Sequence, residues 1–261
     1  MAGAAGEVLV TLDVEHAFRL VGRETFDARG LHSPAPQDSG VWRFRELVRP
    51  LPGDPVTHPE GNTALYRREA VARFVGLPDL ALKHEGENPT GSFKDRGMTV
   101  AVSLARHLGM AKVACASTGN LANSVAANAA SAGLKSYVFI PSDLEQGKVV
   151  NSLVYGANVI AIKGHYDEVN RLCAEIAGKF GWAFVNVNMR PYYAEGSKSM
   201  AYEIIEQSGW RIPQGRHCKG RGSADVVGRT NRRVDSRTWV PYWRPTACSG
   251  RDDVPFCVSC L

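Results

Sequence analysis

Lys94 stands in the run Glu87-Asn88-Pro89-Thr90-Gly91-Ser92-Phe93-Lys94-Asp95-Arg96-Gly97-Met98, where a Pro/Gly-broken turn gives way to an apolar helical pattern. Such a turn can hold an amine still and partly dry. A desolvated lysine amine becomes a nucleophile able to form a Schiff base. The competing reading is a solvated lysine in the first turn of a surface helix. A second chemical element is Ser117-Thr118-Gly119-Asn120, between an apolar run and a small-residue helical pattern. Backbone N–H groups at a helix start, helped by the hydroxyls of Ser117 and Thr118, favour a carboxylate or phosphate. Gly119 lets the backbone approach a ligand closely. Taken alone, this stretch also reads as an ordinary strand-to-helix turn with a capping hydroxyl. A third is Asn188-Met189-Arg190-Pro191-Tyr192-Tyr193-Ala194-Glu195-Gly196-Ser197-Lys198. Its Arg190 and Lys198 are candidate phosphate partners by charge, against the reading of solvated cations flanking a helix start.

Periodicity predicts the elements that must position these groups. Residues 80–85 read as a strand leading into the lysine turn. Apolar residues at Met98, Ala101, Val102, Ala105 and Leu108 predict a helix that stops at Gly109. Strands over 112–116, 136–140, 159–162 and 182–187 then alternate with helices over 120–132, 144–155 and 166–180. This alternation, with short turns, predicts an α/β fold with parallel strands covered by helices. One further helix is predicted over 195–208, running into a strand lead-in over 210–214. Upstream, residues 1–40 hold a short apolar strand or helix and a loop around His32-Ser33-Pro34-Ala35-Pro36, and 41–47 form a short helix or extended segment ending at Pro50.

The chain has 261 residues, 44% hydrophobic and 22% charged, which suits one large or two smaller globular domains. No uninterrupted apolar run approaches bilayer-spanning length. Residues 1–14 lack the basic start of a signal sequence. The expected location is therefore the cytoplasm, with no membrane partner. The net charge of +5 is unevenly placed: residues 1–214 hold 22 basic and 22 acidic side chains, and residues 215–261 hold 9 and 4. Cys218, Cys248, Cys257 and Cys260 also fall in that tail, which shows no apolar period. Cys257-Val258-Ser259-Cys260 has metal-ligand spacing, but the spacing to His217, Cys218 and Cys248 fits no familiar zinc ribbon, so no metal is expected. The tail arginines are organised by no recognisable nucleic-acid-binding domain, so no nucleic-acid partner is expected.

The lysine string closely resembles the pyridoxal phosphate (PLP) lysine motif of threonine synthases, in the fold-type II, tryptophan synthase β-like superfamily. Twelve residues match a long motif by chance far less often than a lone lysine does. Pro59-Glu60-Gly61-Asn62-Thr63-Ala64-Leu65-Tyr66 resembles the family's Glu-Gly-x-Thr-Pro-Leu motif, with Ala64 where proline is usual. The resemblance covers roughly residues 41–214. It implies a three-layer α/β fold with parallel sheets covered by helices. Residues 1–101 would be the N-terminal part of a large PLP domain, 102–187 a smaller α/β domain, and 188–214 a return into the large domain. Residues 215–261 would be a non-family tail, disordered or translated out of frame, leaving the large domain truncated.

The resemblance also implies roles. Lys94 would hold the cofactor as a Schiff base and serve as the acid/base that moves the α and β protons. Asn120, with Gly119, would contact the cofactor, the asparagine through its phenolate oxygen. Ser117, Thr118, Arg190 and Lys198 would bind substrate. The implied reaction converts O-phosphohomoserine and water to threonine and phosphate, in a possible homodimer. The alternatives are an inactive truncated remnant or a related PLP-dependent serine/threonine dehydratase. The family's loop for the cofactor phosphate and its partner for the pyridine nitrogen would lie beyond Gln214.

Overall fold

The structure is a computed structural model. It describes residues 21–29, 38, 40–48, 53–117, 119–143 and 150–211, and the backbone of 212–213, 216–218, 224–227 and 230–233. The expectations for residues 1–20 and for the loop at 32–36 lie outside the described residues.

Four parallel strands form the centre: β3 (Lys112–Ala116), β4 (Lys135–Pro141), β5 (Asn158–Ile162) and β6 (Ala183–Phe184). Their order across the sheet is β5-β4-β3-β6. Preceding them are β1 (Leu65–Tyr66) and β2 (Ala81–His84), an antiparallel pair. The helices, in chain order, are α1 (Arg23–Arg29), α2 (Arg45–Val48), α3 (Glu69–Val75), α4 (Lys94–His107), α5 (Asn120–Ser131), α6 (Val150–Val154), α7 (Tyr166–Phe180), α8 (Arg190–Ser197) and α9 (Ser199–Gln207). No helix among the described residues is long and apolar enough to cross a membrane.

Side-chain alternation along β3 sorts the layers. Val113 and Cys115 point to one face, where they pack with Met98, Ala101 and Val102 of α4 and Val125, Ala126 and Ala129 of α5. Ala114 and Ala116 point to the other, against Val169, Cys173 and Ala177 of α7. Both faces of a parallel sheet are buried in this way, which is why its strands read as near-continuous apolar runs. The α/β, three-layer expectation is met. On its far side α4 offers Val100 to a separate cluster of Phe26, Trp42, Phe44, Leu47, Tyr202, Ile205 and Trp210. The lysine helix is thus gripped from two sides.

Three elements differ from expectation. Strand β6 is two residues long because Asn188 Oδ1 accepts the Phe184 N–H at 2.8 Å and the N–H groups of Val187 and Met189 turn back to Phe184 O. Asparagine offers the backbone this alternative to a ladder. The helix predicted over 195–208 is two helices, and the first begins at Arg190 with Pro191 in its opening turn, where a missing N–H costs nothing. They part at Lys198, flanked by Ser197 and Ser199, whose hydroxyls donate back to Tyr193 O at 3.0 Å and Gly196 O at 2.8 Å. Such back-bonding bends helices. Third, the tail expected to be patternless contains β8 (Arg216–Cys218), β9 (Ala224–Val227) and β10 (Thr230–Arg233), after β7 (Arg211–Pro213). β9 pairs antiparallel with β2 and β8, and β10 pairs with β7. The open edge of β2 is a row of backbone donors and acceptors, and pairing to it asks little of the side chains that arrive.

The junction of α4 and α8 is a close backbone approach. A Cβ on Gly196 would lie 2.0 Å from Arg96 O, so the two backbones touch. Gly196→Ala is expected to destabilise the chain by about 1–3 kcal/mol, as overpacking does. Thermal unfolding measures it, and an unchanged melting temperature would contradict the contact.

Candidate functional site

Five residues of the lysine string beside Lys94 have distinct tasks, Glu87, Asn88, Thr90, Asp95 and Arg96. Glu87 accepts the Ala64 N–H at 2.7 Å and the Tyr66 hydroxyl at 2.6 Å. A proline at 64 could not donate that bond, so the departure from the family pattern is put to use. Asn88 Oδ1 accepts the Gly61 N–H at 2.9 Å, which ties the lysine turn to the upstream Glu-Gly motif. Asp95, 1% exposed, accepts the N–H and hydroxyl of Thr90, both at 2.7 Å, and the Ser124 hydroxyl of α5 at 2.5 Å. The turn is thereby closed on itself and pinned to the neighbouring helix.

Arg96 is fully buried. Its guanidinium donates to Glu85 at 2.6 and 2.8 Å and to both Glu203 oxygens at 2.8 Å. Glu203 also accepts from buried Lys83 at 2.7 Å. Burial pushes the Glu203 carboxyl up, but the Arg96 and Lys83 charges outweigh it and hold it well below the usual carboxylate range. Three successive residues, Lys94, Asp95 and Arg96, therefore face a pocket, a turn and a buried ion network.

Lys94 opens α4 half-buried, and its side chain reaches a cavity of about 170 Å³ lined by Lys94, Leu121, Val185, Asn186, Arg190 and Tyr193. Val185 and Asn186 follow the carboxyl end of β6, and Leu121 follows the loop at the carboxyl end of β3. Between those strands and their neighbours the strand order reverses, with β4 on one side of β3 and β6 on the other. Parallel α/β sheets place ligands in the crevice outside such a switch point. The loop's departure is fixed by neighbours: Asn186 Oδ1 accepts the Ala116 N–H at 3.3 Å, and the Tyr166 hydroxyl donates to Ala116 O at 3.1 Å.

The structure brings Lys94 and Arg190 to one cavity. Asn120 is exposed as the first residue of α5, next to the lining residue Leu121, and Ser117 Oγ accepts the Gly119 N–H at 3.4 Å. A Cβ on Gly119 would meet nothing within 4 Å, so the loop faces open space. Thr118 lies outside the described residues, as do the cysteines at 248, 257 and 260. Lys198 is not brought to the cavity: its Nζ forms an ion pair with Glu195, one turn back on the helix. Sequence reasoning missed Tyr193, whose hydroxyl accepts from Lys94 Nζ at 2.5 Å. The available signal was its spacing, one helical turn beyond Arg190, which puts both on one face once the helix is started at Arg190.

The sequence profile of the family described as pyridoxal-phosphate dependent enzymes matches residues 56–218. The chain is 41% identical over 174 residues to a threonine synthase of Methanosarcina acetivorans, covering 66% of this chain and 42% of that protein. It is 43% identical over 187 residues to a threonine synthase of Synechocystis sp., covering 68% and 49%. Among solved structures, the processed form of threonine deaminase isoform 2 from Solanum lycopersicum aligns with a TM-score of 0.51 at 25% identity, over 56% of this chain and 40% of that one. Apo diaminopropionate ammonia lyase from Escherichia coli shares the fold, with a TM-score of 0.52 at 21% identity over 67% and 54%. The chain belongs to the pyridoxal-phosphate dependent enzyme family. It spans less than half the length of these curated relatives.

The family's cofactor is pyridoxal 5'-phosphate, and the residues present fit it. A primary amine enters a cavity whose walls include apolar Leu121 and Val185 and the Tyr193 ring, surfaces suited to a planar heteroaromatic ring. No atom of the described residues lies within 4 Å of a Cβ placed on Gly119, so the backbone before α5 is open to a ligand.

Proposed function

We propose that the chain acts as a PLP-dependent carbon–oxygen lyase of the threonine synthase type, releasing phosphate from O-phosphohomoserine and adding water to give threonine. The observation that carries this reading is that Lys94 and Arg190 share one cavity at the switch point of the sheet. Lys94 would hold the cofactor and Asn120 would contact it. When bound, pyridoxal phosphate supplies an electron sink for negative charge developing on the substrate.

Lys94 Nζ accepts the α proton and later returns protons to carbon, within reach of the cavity from the first turn of α4. Arg190 presents a planar, permanently charged fork to the phosphate ester. Ser117 and the backbone at the start of α5 suit the substrate carboxylate. Leu121 and Val185 keep water from one wall. Lys198, already neutralised by Glu195, is assigned no role at the phosphate. An arginine beside the lysine favours a phosphate ester over the hydroxyl leaving group of a serine/threonine dehydratase.

The test is release of inorganic phosphate from O-phosphohomoserine by the full chain with added PLP. Phosphate release that vanishes in Lys94→Ala supports the reading; deamination of threonine without phosphate release would replace it with the dehydratase. Arg190→Ala is expected to raise KM for O-phosphohomoserine by about tenfold or more, the scale of a lost charge-assisted hydrogen bond, with a smaller change in kcat. Equal KM values in the two proteins would remove Arg190 from the phosphate site.

A further inference from the structure

We propose that Tyr193 is the positioning residue of the Lys94 amine: its hydroxyl fixes Nζ in the cavity and shares its proton. This rests on the reading of Lys94 as the cofactor-bearing lysine, although its evidence lies in the amine's own surroundings. Lys94 Nζ donates to Tyr193 Oη at 2.5 Å. The same nitrogen lies 4.3 Å from the centroid of the Phe93 ring and 5.1 Å from that of Tyr193. Aromatic faces attract an ammonium, and a phenol can either accept from an ammonium or donate to a neutral amine. Free lysine amines and phenols hold protons with nearly equal strength, with ordinary pKa values of about 10.4 and about 10. Once the pair has lost one proton, amine with phenol and ammonium with phenolate are close in energy, and the single proton left on the short bond moves between nitrogen and oxygen at small cost. An amine that must alternately take and give protons benefits from that neighbour.

The placement of the phenol is built into the fold. Tyr193 is 6% exposed. A Cβ on Gly97 would lie 2.5 Å from its Cδ2 and 2.8 Å from its carbonyl oxygen. Gly97 seats the ring on α4, and Gly196 lets the α8 backbone that carries Tyr193 lie against Arg96 O. Among the described residues, three other charged groups lie near this pair. Arg190 shares the cavity, Asp95 is turned to Thr90 and Ser124, and Glu195 is paired with Lys198. Leu121, Val185 and Asn186, which close the cavity from α5 and β6, do not titrate.

The experiment uses the full chain without cofactor, and formaldehyde with cyanoborohydride as the probe. These reagents methylate unprotonated amines, and peptide mass spectrometry reads the extent at Lys94 from about pH 6 to about pH 10. Tyr193→Phe keeps both rings and removes only the hydroxyl. The expected result is a Lys94 profile displaced to lower pH, because the ammonium loses an acceptor, with methylation at a fixed lower pH faster by about tenfold. Exposed Lys179 should not move. An unmoved Lys94 profile in a variant with native circular dichroism overturns the proposal. Should that variant be insoluble, 3-fluorotyrosine incorporation weakens the neutral phenol as an acceptor at nearly unchanged volume, and methylation rates read from about pH 6 to about pH 7, where that phenol is still protonated, decide by the same two outcomes. A chain that never captures PLP would overturn the proposed function while leaving this pair open to the same test, since formaldehyde needs no cofactor.

Discussion

Lys94→Ala is expected to abolish site-specific capture of pyridoxal phosphate by the full chain. In the wild type, borohydride reduction should fix one cofactor on the peptide carrying Lys94. In the variant, only a thin background spread over surface lysines should remain. The expectation follows from position: Lys94 is the amine that enters the cavity, held at Tyr193 Oη and above two aromatic rings. Its side chain is half-buried at a helix start and carries no part of the core, so the variant should fold. Phosphate release should fall by about 10³-fold or more, since the amine is both attachment point and acid/base. Lys94→Arg provides the control for charge: a guanidinium stays protonated and forms no reducible bond, so it should be as inactive as alanine. Equal labelling of wild type and Lys94→Ala would sink the assignment of the cavity.

The parallel sheet and its helices were legible because burial on both faces writes itself into the chain. Val113 and Cys115 against one set of helices, and Ala114 and Ala116 against another, leave an unbroken apolar run flanked by helical periods. The helix over 166–180 was predicted to the residue, since its apolar stripe is bounded by His165 and Gly181, which cap it. The lysine turn was legible as a string of residue types too particular for a surface helix. Other features are written in pairs too far apart to read. Tyr193 lies 99 positions from the amine it holds, and its spacing from Arg190 separates it from Tyr192 only once the start of the helix is known. The tail strands were illegible because backbone pairing to an open edge leaves no side-chain period. Glu203 and Arg96 are of residue types that usually stay solvated on helix faces, and are instead buried because each satisfies the other.

Arg96→Leu is expected to cost about 3–5 kcal/mol of stability near neutral pH, the scale of breaking a buried ion pair and leaving its partners behind. That is a large fraction of a domain's typical 5–15 kcal/mol. The loss is severe because Glu85 and Glu203 would both remain buried, with Lys83 the charge left to answer them. The sign of the pH dependence distinguishes this cause from a simple packing defect. In the wild type, Glu203 is held below its unfolded value, so its contribution is present above that value and is lost only as pH falls through the lower, folded one. In the variant, burial without Arg96 raises both carboxyls above their unfolded values. That penalty is felt at neutral pH and disappears as the groups protonate. Urea unfolding should therefore show the gap between wild type and Arg96→Leu narrowing from about pH 7 to about pH 4.5. A gap constant across that range would assign the loss to packing, and the network would then hold the lysine helix by shape instead of charge.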